Sequence, residues 1–316
     1  LSNITVEIYV NEQGHEKEKK YPLTISEIIS DIHERMNNWP RAIGGQDGTP
    51  VLFIHDEYGV SFITKPGALF GIIQQKVGIV EWLGADSVTG VVGKTEAFHE
   101  IARTALRYEG IEMMPHEPIR PMSYYACIPP MPGDGKTLET LVDKFNPATP
   151  VDRSIIKAAI LTLFWGGSPG TRPVILVTSP DGRGSGKTKL AMILAHLAGG
   201  MVEVEANDKM AAVKTRLLSP EGMSKRVVLL DNVKTHRFSW SEFEALVTAS
   251  TISGHRMFVG EGQRPNTITY FVTLNGASLS TDIAQRCVEI RIRKPEVYSQ
   301  SWLEDTIKFV DDNREA

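Results

Sequence analysis

The chain of 316 residues is poor in cysteine and has no long apolar segment. Its two cysteines, Cys127 and Cys287, provide neither a disulfide framework nor a zinc-ligand set, which fits a reducing compartment. No apolar run approaches the ~20 residues that a membrane-spanning helix needs. The first residues have neither the basic start nor the apolar core of a secretory signal. We therefore expect a cytoplasmic protein with no membrane partner.

The most informative segment that is present is a glycine-rich loop between an apolar strand and a helix. The run 174–178 is apolar, and Lys187 and Thr188 open the predicted helix. In such a loop, backbone N–H groups turn toward a bound phosphate, the lysine reaches the β- and γ-phosphates, and the threonine hydroxyl binds Mg²⁺. We predict a site for ATP and Mg²⁺ formed by Asp181, Gly182, Arg183, Gly184, Ser185, Gly186, Lys187 and Thr188.

The loop departs from the usual pattern G-x-x-x-x-G-K-[ST] at one position, because Asp181 stands where the first glycine is expected. Gly182 comes one residue late. A second segment, 133–137, reads Gly-Asp-Gly-Lys-Thr and imitates a phosphate loop, but no apolar strand precedes it. We interpret that second segment as unrelated to nucleotide binding.

From residue 172 onward, strand and helix patterns alternate, which predicts a parallel sheet with right-handed crossovers. The expected core strands are 173–178, 201–205, 226–231, 267–274 and 287–293, and the expected helices are 187–198, 207–218, 240–250 and 280–286. We predict an α/β fold in which a nucleotide-binding domain with a five-stranded parallel core sheet occupies residues 151–295.

A smaller mixed α/β accessory domain is predicted over residues 1–113. It has an alternating strand at 4–10, a hairpin turn or loop over 11–20, helices at 26–38, 69–76 and 94–108, and a hairpin at 51–63. A proline-rich linker and a helix follow over 114–150, and a C-terminal helix lies in 296–316. The accessory domain shows no metal-ligating set of histidines and no paired-carboxylate signature, so its role stays open.

Two polar strand ends accompany the phosphate loop. The apolar run 227–230 ends in Asp231, and in phosphate-loop enzymes an acid at that place holds Mg²⁺. A turn-forming Asp-Asn pair is the alternative, but the loop favours Thr188 and Asp231 as metal ligands. Asn275 directly follows the strand 267–274, where it would reach the γ-phosphate or water, or form an Asn-Gly turn.

An arginine and a hairpin complete the candidate residues. Arg286 ends the short predicted helix 280–286, where it either neutralises charge on the γ-phosphate across a subunit boundary or forms an ordinary salt bridge at the helix end. The segment 255–266 reads as a hairpin with basic and aromatic side chains, which suits single-stranded nucleic acid. Residues 171–295 carry 17 of the 34 lysines and arginines but only 11 of the 38 aspartates and glutamates. This basic excess fits a polyanion partner, or serves the nucleotide itself.

Taken in order, these motifs resemble the ATPase domain of superfamily 3 helicases, within the AAA+ class, as found in primase-helicases of phages, poxviruses and mobile elements. The resemblance covers roughly residues 150–295. It implies a hexameric ring that binds ATP between subunits, grips single-stranded DNA in its channel, and works with a primase or other replication partner. It also implies catalytic roles at Lys187, Asp231, Asn232, Asn275 and Arg286, and DNA contacts at His255, Arg256 and Arg264.

The resemblance breaks at Asn232, because many such ATPases have at that position a glutamate that polarises the attacking water. The expected function is an ATP-dependent DNA helicase or translocase. The alternatives are another AAA+ remodelling or loading ATPase, which would share the pocket but not the cargo, and an assembly switch that binds ATP without hydrolysing it. Asn232 is the residue that points toward the switch.

Overall fold

A computed structural model of the chain describes residues 1–44, 50–84, 90–128, 130–205, 207–233, 237–238, 240–256, 260–274, 278–296 and 299–314. The chain forms two compact units, one made of Leu1–Gly44 and Pro50–Tyr108 and the other containing Glu109–Ala316. Among the helices of these residues, none is long and apolar enough to cross a membrane.

The first unit combines short strands with three helices. In chain order it contains β1 (Ile4–Val10), β2 (Glu16–Pro22), α1 (Ile25–Arg35), β3 (Arg41–Ile43), β4 (Val51–Asp56), β5 (Gly59–Ile63), α2 (Pro66–Val77), α3 (Lys94–Thr104) and β6 (Arg107–Tyr108). One sheet has the order β5-β4-β3-β6, and β1 pairs with β2. A shared apolar core, which includes Ile28, Leu69 and Ile101, joins the helices to the four-stranded sheet.

Local sequence explains where α1 begins. The Thr24 side chain accepts a hydrogen bond from the Glu27 N–H, and the Glu27 carboxylate accepts one from the Thr24 N–H, which forms a capping box. Two predictions in this unit were wrong in part. The loop expected over 11–20 contains the start of β2, which pairs in register with β1. The helix expected over 94–108 ends at Thr104, because Arg107 and Tyr108 pair with β3 instead.

The second unit contains the predicted nucleotide-binding fold. Its elements are β7 (Gly110–Glu112), β8 (Ser123–Tyr125), α4 (Lys136–Asp143), α5 (Pro150–Leu163), β9 (Val174–Thr178), α6 (Lys187–Leu197), β10 (Met201–Val204), α7 (Met210–Leu217), α8 (Pro220–Met223), β11 (Val227–Val233), β12 (Arg237–Phe238), α9 (Ser241–Thr248), β13 (Thr251–Arg256), β14 (Gly260–Pro265), β15 (Thr269–Leu274), β16 (Ser278–Leu279), α10 (Thr281–Ala284), β17 (Cys287–Arg291) and α11 (Trp302–Asp312).

Five parallel strands form the central sheet in the order β10-β11-β15-β9-β17. Side chains alternate across it: Ile175 and Val177 of β9 face a core built with α5, α6 and α11, whereas Val174 and Leu176 face a core built with α7 and α9. Strands covered on both faces must be apolar along their whole length, which is why β9 is a continuous apolar run. The sheet and its strand positions agree with the sequence prediction.

Candidate functional site

The phosphate loop lies between the end of β9 and the start of α6, as the sequence predicts. Gly182, Gly184 and Gly186 have φ values of 75°, 81° and 93°. Such left-handed positions favour glycine, and in phosphate loops they form a concavity of backbone N–H groups. Gly186 is the N-cap of α6, so the loop leads directly into the positive end of the helix dipole. The loop therefore presents the geometry of an anion cradle.

Lys187 is folded into this cradle. Its Nζ donates a hydrogen bond to the Gly182 carbonyl at 2.9 Å, and the residue is only 7% exposed. Burial lowers the pKa of Lys187 below its usual value, and the nearby Asp231 carboxylate opposes that shift. A bound phosphate would supply the negative charge that the buried ammonium lacks.

A hydroxyl–carboxylate contact joins the loop to the end of β11. Thr188 Oγ1 donates to Asp231 Oδ1 at 2.7 Å, and Thr273 Oγ1 of β15 donates to the same oxygen. The two predicted metal ligands are thus adjacent. Oxygen ligands from one carboxylate and one hydroxyl suit Mg²⁺, which keeps waters and takes substrate phosphates as its remaining ligands. Within the described ranges, no group of three or more His, Cys, Asp or Glu side chains could hold a metal ion.

Asn232 lies at a bulge in β11. The register between β11 and β15 shifts between Leu230 and Val233, and Asn232 has a φ of 56°. Its backbone N–H donates to Thr273 Oγ1 at 2.7 Å, while the residue itself is exposed. Thr273 therefore fixes both residues at the strand end, although the sequence analysis did not select it. A hydroxyl near the carboxyl end of a buried strand was the signal that could have identified it.

A cavity of about 320 Å³ opens beside the phosphate loop. Its walls include Lys187 and Thr188 on one side and Phe145, Ile292 and Trp302 on another. The rings of Phe145 and Trp302 meet edge to face, with centroids 6.1 Å apart. Ligand cavities commonly combine an apolar wall with a few polar groups in this way. The C-terminal helix α11 thus supplies part of the candidate site, a contribution that the sequence analysis did not predict.

Asp181 is held by the segment that follows β17. Its carboxylate accepts a hydrogen bond from the Lys294 N–H at 2.8 Å and lies 3.9 Å from the Arg293 guanidinium. Its role as a nucleotide contact stays a prediction, since its carboxylate is already engaged. Arg183 and Ser185 line the cavity, and the Ser185 hydroxyl donates to the Gly182 carbonyl at 3.2 Å.

Arg286 is exposed and lies far from the phosphate loop of its own chain. It immediately precedes β17, whose first residue pairs with Val174 at the start of β9, whereas the loop follows the end of β9. A five-residue strand separates the two positions by about 16 Å. At that distance the Arg286 side chain does not reach the phosphate loop of its own chain. The predicted γ-phosphate contact Asn275 lies outside the described residues.

The expected hairpin exists, with β13 paired antiparallel to β14. His255 is exposed, and its Nδ1 lies 3.9 Å from the Glu261 carboxylate. Arg256 and Arg264 are 3% and 6% exposed. The Arg264 guanidinium donates to the carbonyls of Leu217, Gly222 and Lys225. In this conformation, neither arginine presents its guanidinium to solvent, so of the three predicted DNA contacts only His255 is presented for binding.

The lysine of the second Gly-Lys-Thr segment is far more exposed than Lys187. The Lys136 side chain is 86% exposed and lies 2.6 Å from the Asp134 carboxylate. Gly135 is the N-cap of α4, but the preceding strand β8 ends at Tyr125, ten residues before Gly135. This geometry agrees with the interpretation that the segment does not bind nucleotide.

Comparison with known proteins supports the fold. No protein-family model and no curated protein matches the chain. The chain is similar to the A form apo structure of the NrS-1 C-terminal region, with 12% identity and a TM-score of 0.57 over 94% of this chain and 68% of that chain. A second structure of that region gives 12% identity and a TM-score of 0.54, with 93% and 68% covered.

The X-ray structure of JCV helicase matches 58% of this chain and 51% of that chain, with 19% identity and a TM-score of 0.35, a value too low to carry an argument. The similarity to the NrS-1 region shows a shared fold alone, because the identity is low. The predicted fold class, an α/β phosphate-loop domain around five parallel strands with a smaller α/β region before it, is confirmed.

Proposed function

We propose that the chain is an ATP-dependent helicase or translocase motor that acts on DNA in the replication of a phage or mobile element. The observation that carries the proposal is the Thr188–Asp231 hydrogen bond of 2.7 Å, which joins the phosphate loop to the acidic strand end at the edge of a cavity. This pair would hold Mg²⁺, and the metal would neutralise charge on the β- and γ-phosphates.

The chain's own residues then have defined roles. The loop N–H groups and Lys187 bind the phosphates, and the wall formed by Phe145 and Trp302 takes the base. Thr273 orients the Asp231 carboxylate. Asn275 would contact the γ-phosphate or water. Each of these roles is inferred from the position of the residue in the fold and can be tested by substituting that residue.

A matched pair of lysines tests the nucleotide site. Lys187→Ala should abolish ATP hydrolysis and weaken ATP binding, because the phosphates lose their positive partner. Lys136→Ala changes the other Gly-Lys-Thr segment, whose side chain is 86% exposed, and should leave both unchanged. Binding is measured with a fluorescent ATP analogue and turnover by phosphate release. Equal effects of the two substitutions would contradict this assignment.

The oligomer proposal rests on Arg286, which lies about a strand length from its own phosphate loop. In a ring, Arg286 of one subunit would contact ATP bound by the next. Arg286→Ala should then lower turnover more than ATP binding. A mixture of the Arg286→Ala and Lys187→Ala proteins should regain activity, because some interfaces combine an intact lysine with an intact arginine. No recovery in the mixture, despite co-assembly, would refute action between subunits.

A hexameric ring and single-stranded DNA in its channel are further parts of the proposal. Particle mass measured with an ATP analogue and with single-stranded DNA tests the ring, and a monomer under both conditions would exclude it. ATP turnover should rise with single-stranded DNA, and DNA affinity should fall steeply with salt. His255→Ala should reduce that stimulation. A primase or other replication partner and a cytoplasmic location belong to the same proposal.

The second candidate is an assembly switch that binds ATP without turnover, which the side chain at Asn232 favours. An amide cannot accept the proton of an attacking water as a carboxylate does. Turnover above background that is lost in Lys187→Ala excludes the switch. Turnover that ignores DNA but responds to a protein cargo would instead identify another AAA+ remodelling or loading ATPase.

A further inference from the structure

A buried group of arginines lies at the edge of the sheet opposite the phosphate loop. Arg172 lies two residues before the start of β9, and Arg226 immediately precedes β11. Arg264 lies in β14, shortly before the start of β15 in the sequence, and Arg120 lies in the proline-rich segment that follows β7. Their exposures are 4%, 2%, 6% and 8% for Arg172, Arg226, Arg264 and Arg120. We call these four residues the arginine cluster.

The arginine cluster has too little negative charge of its own. Glu112, 6% exposed, pairs with Arg226 through a 2.9 Å hydrogen bond, and its negative charge opposes the lowering of the pKa of Arg172 and Arg264 that burial causes. His116 adds no further positive charge, because burial and three of the arginines lower its pKa to about 2 and keep it neutral. Arginine is rarely buried unless it is paired, so the cluster holds an uncompensated positive charge.

Two members of the cluster are satisfied by protein atoms, and two are not. Arg226 and Arg264 donate to several backbone carbonyls each. Arg172 donates only through Nη2, to the Trp165 carbonyl, and within the described part of the chain its Nε and Nη1 have no hydrogen-bond partner. Arg120 donates through Nη1 to the Gly167 carbonyl at 3.4 Å, and its Nε likewise has no partner among those residues.

The two under-used guanidinium groups lie close together. Both donate to carbonyls of the turn that follows α5, at positions two residues apart. The segment carrying Arg120 is fixed there, because the Glu117 N–H donates to Phe164 O and the Gly166 N–H donates to Glu117 O, each at 3.0 Å. The positive charge of Arg120 also contributes to lowering the pKa of Arg172, to about 10, after the larger effect of burial.

We propose that Arg120 and Arg172 form a binding site for a tetrahedral phosphate group, separate from the nucleotide cavity. Arginine N–H groups bind phosphate oxygens in bidentate pairs, and a dianion would neutralise two of the uncompensated charges. The guanidinium of Arg172 lies 5.2 Å from the ring of Trp165, which is 41% exposed. The phosphate is either the free ion or the end of a phosphorylated chain such as a nucleic acid terminus.

The test must exclude phosphate bound at the nucleotide loop, so it uses the full chain with Lys187→Ala. Inorganic phosphate is titrated in calorimetry and in thermal unfolding, in buffer free of other multivalent anions. The Lys187→Ala protein should bind phosphate, and its unfolding temperature should rise by about 5 °C or more at a hundredfold excess over the dissociation constant. Adding Arg172→Met should remove both signals. Adding Arg35→Met, which removes an exposed arginine in the other unit, should remove neither.

Unfolding without phosphate separates a binding role from a structural one. If Arg172 serves binding, Arg172→Met removes an uncompensated buried charge and leaves the unfolding temperature in phosphate-free buffer unchanged or higher. A lower temperature with an unchanged phosphate response would overturn the proposal, as would the absence of any Arg172-dependent phosphate signal. A 5′-phosphorylated oligonucleotide that binds at least threefold more tightly than its unphosphorylated form, only when Arg172 is present, identifies a chain end as the source. Equal affinities together with binding of inorganic phosphate identify the free ion.

Discussion

Two threonines on β15 offer a controlled test of how the site is held together. Thr273 and Thr269 are 1% and 0% exposed, so the same Thr→Val change at either position replaces a buried hydroxyl by a methyl group of similar size. Thr273 donates to the Asp231 carboxylate and accepts from the Asn232 N–H. The Thr269 hydroxyl has no hydrogen-bond partner among the described residues. Thr273→Val should therefore lower the free energy of unfolding, whereas Thr269→Val should not.

The expected magnitudes follow from these contacts. A hydrogen bond to a charged group contributes about 1.5–3 kcal/mol and one between neutral groups about 1 kcal/mol, so Thr273→Val should lower the free energy of unfolding by about 2–4 kcal/mol. Thr269→Val removes a hydroxyl that is buried without a partner, so it should be neutral or stabilise the fold by up to about 1 kcal/mol. Equilibrium denaturation in urea measures both, provided that the slope with denaturant is unchanged.

The same pair separates stability from function. Thr273→Val should also lower ATP turnover under conditions where the protein is fully folded, because the Asp231 carboxylate loses one of the two hydroxyls that orient it. Thr269→Val should leave turnover unchanged. If both variants lose the same free energy of unfolding, the hydrogen bonds of the Thr273 hydroxyl add nothing to stability. The proposed role of Thr273 in positioning Asp231 is then refuted.

The remaining predictions concern the cavity wall, the hairpin and the arginine cluster. Trp302→Ala should weaken ATP binding about fivefold with a smaller change in turnover at saturation, as measured by steady-state kinetics, because an aromatic wall contributes on the order of 1 kcal/mol. Arg264→Met should destabilise the fold by about 2–4 kcal/mol in urea, because three buried carbonyls lose their donor. Between pH 7.5 and pH 5.5, stability should fall by about 1.4 kcal/mol more in the native protein than in His116→Gln, because the unfolded chain binds a proton near pH 6.5 and the folded chain does not until about pH 2. Equal pH slopes in the two proteins would show that His116 is not buried in its neutral form.

Local patterns in the sequence were sufficient for the sheet and the phosphate loop. The apolar run of β9, the glycines after it and the Lys-Thr pair are contiguous, so their meaning does not depend on distant residues. The acidic end of β11 was recognisable for the same reason. These are the parts of the fold in which each strand or turn is specified by its own residues.

Contacts between residues that are far apart in the sequence could not be predicted from such local patterns. Thr273 matters because β15 lies between β9 and β11, an order that no single segment specifies. Trp302 reaches the cavity because α11 packs on α6. Arg264 looked like a DNA contact because it is basic and belongs to a hairpin, yet its guanidinium is buried against the ends of α7 and α8. Charge in a sequence does not indicate burial, and here burial decides what the arginine can contact.

The two departures from the expected motifs have backbone explanations. The left-handed turn that opens the phosphate loop occurs at Gly182, so the preceding position does not need a glycine, and Asp181 instead anchors the loop to Lys294. Asn232 occupies a left-handed position at the β11 bulge, with a φ of 56°, and asparagine tolerates that conformation better than glutamate does. A glutamate there would carry backbone strain that the amide residue avoids. The missing carboxylate is thus coupled to the bulge, and if the chain hydrolyses ATP as proposed, the group that activates water must come from a position other than 232.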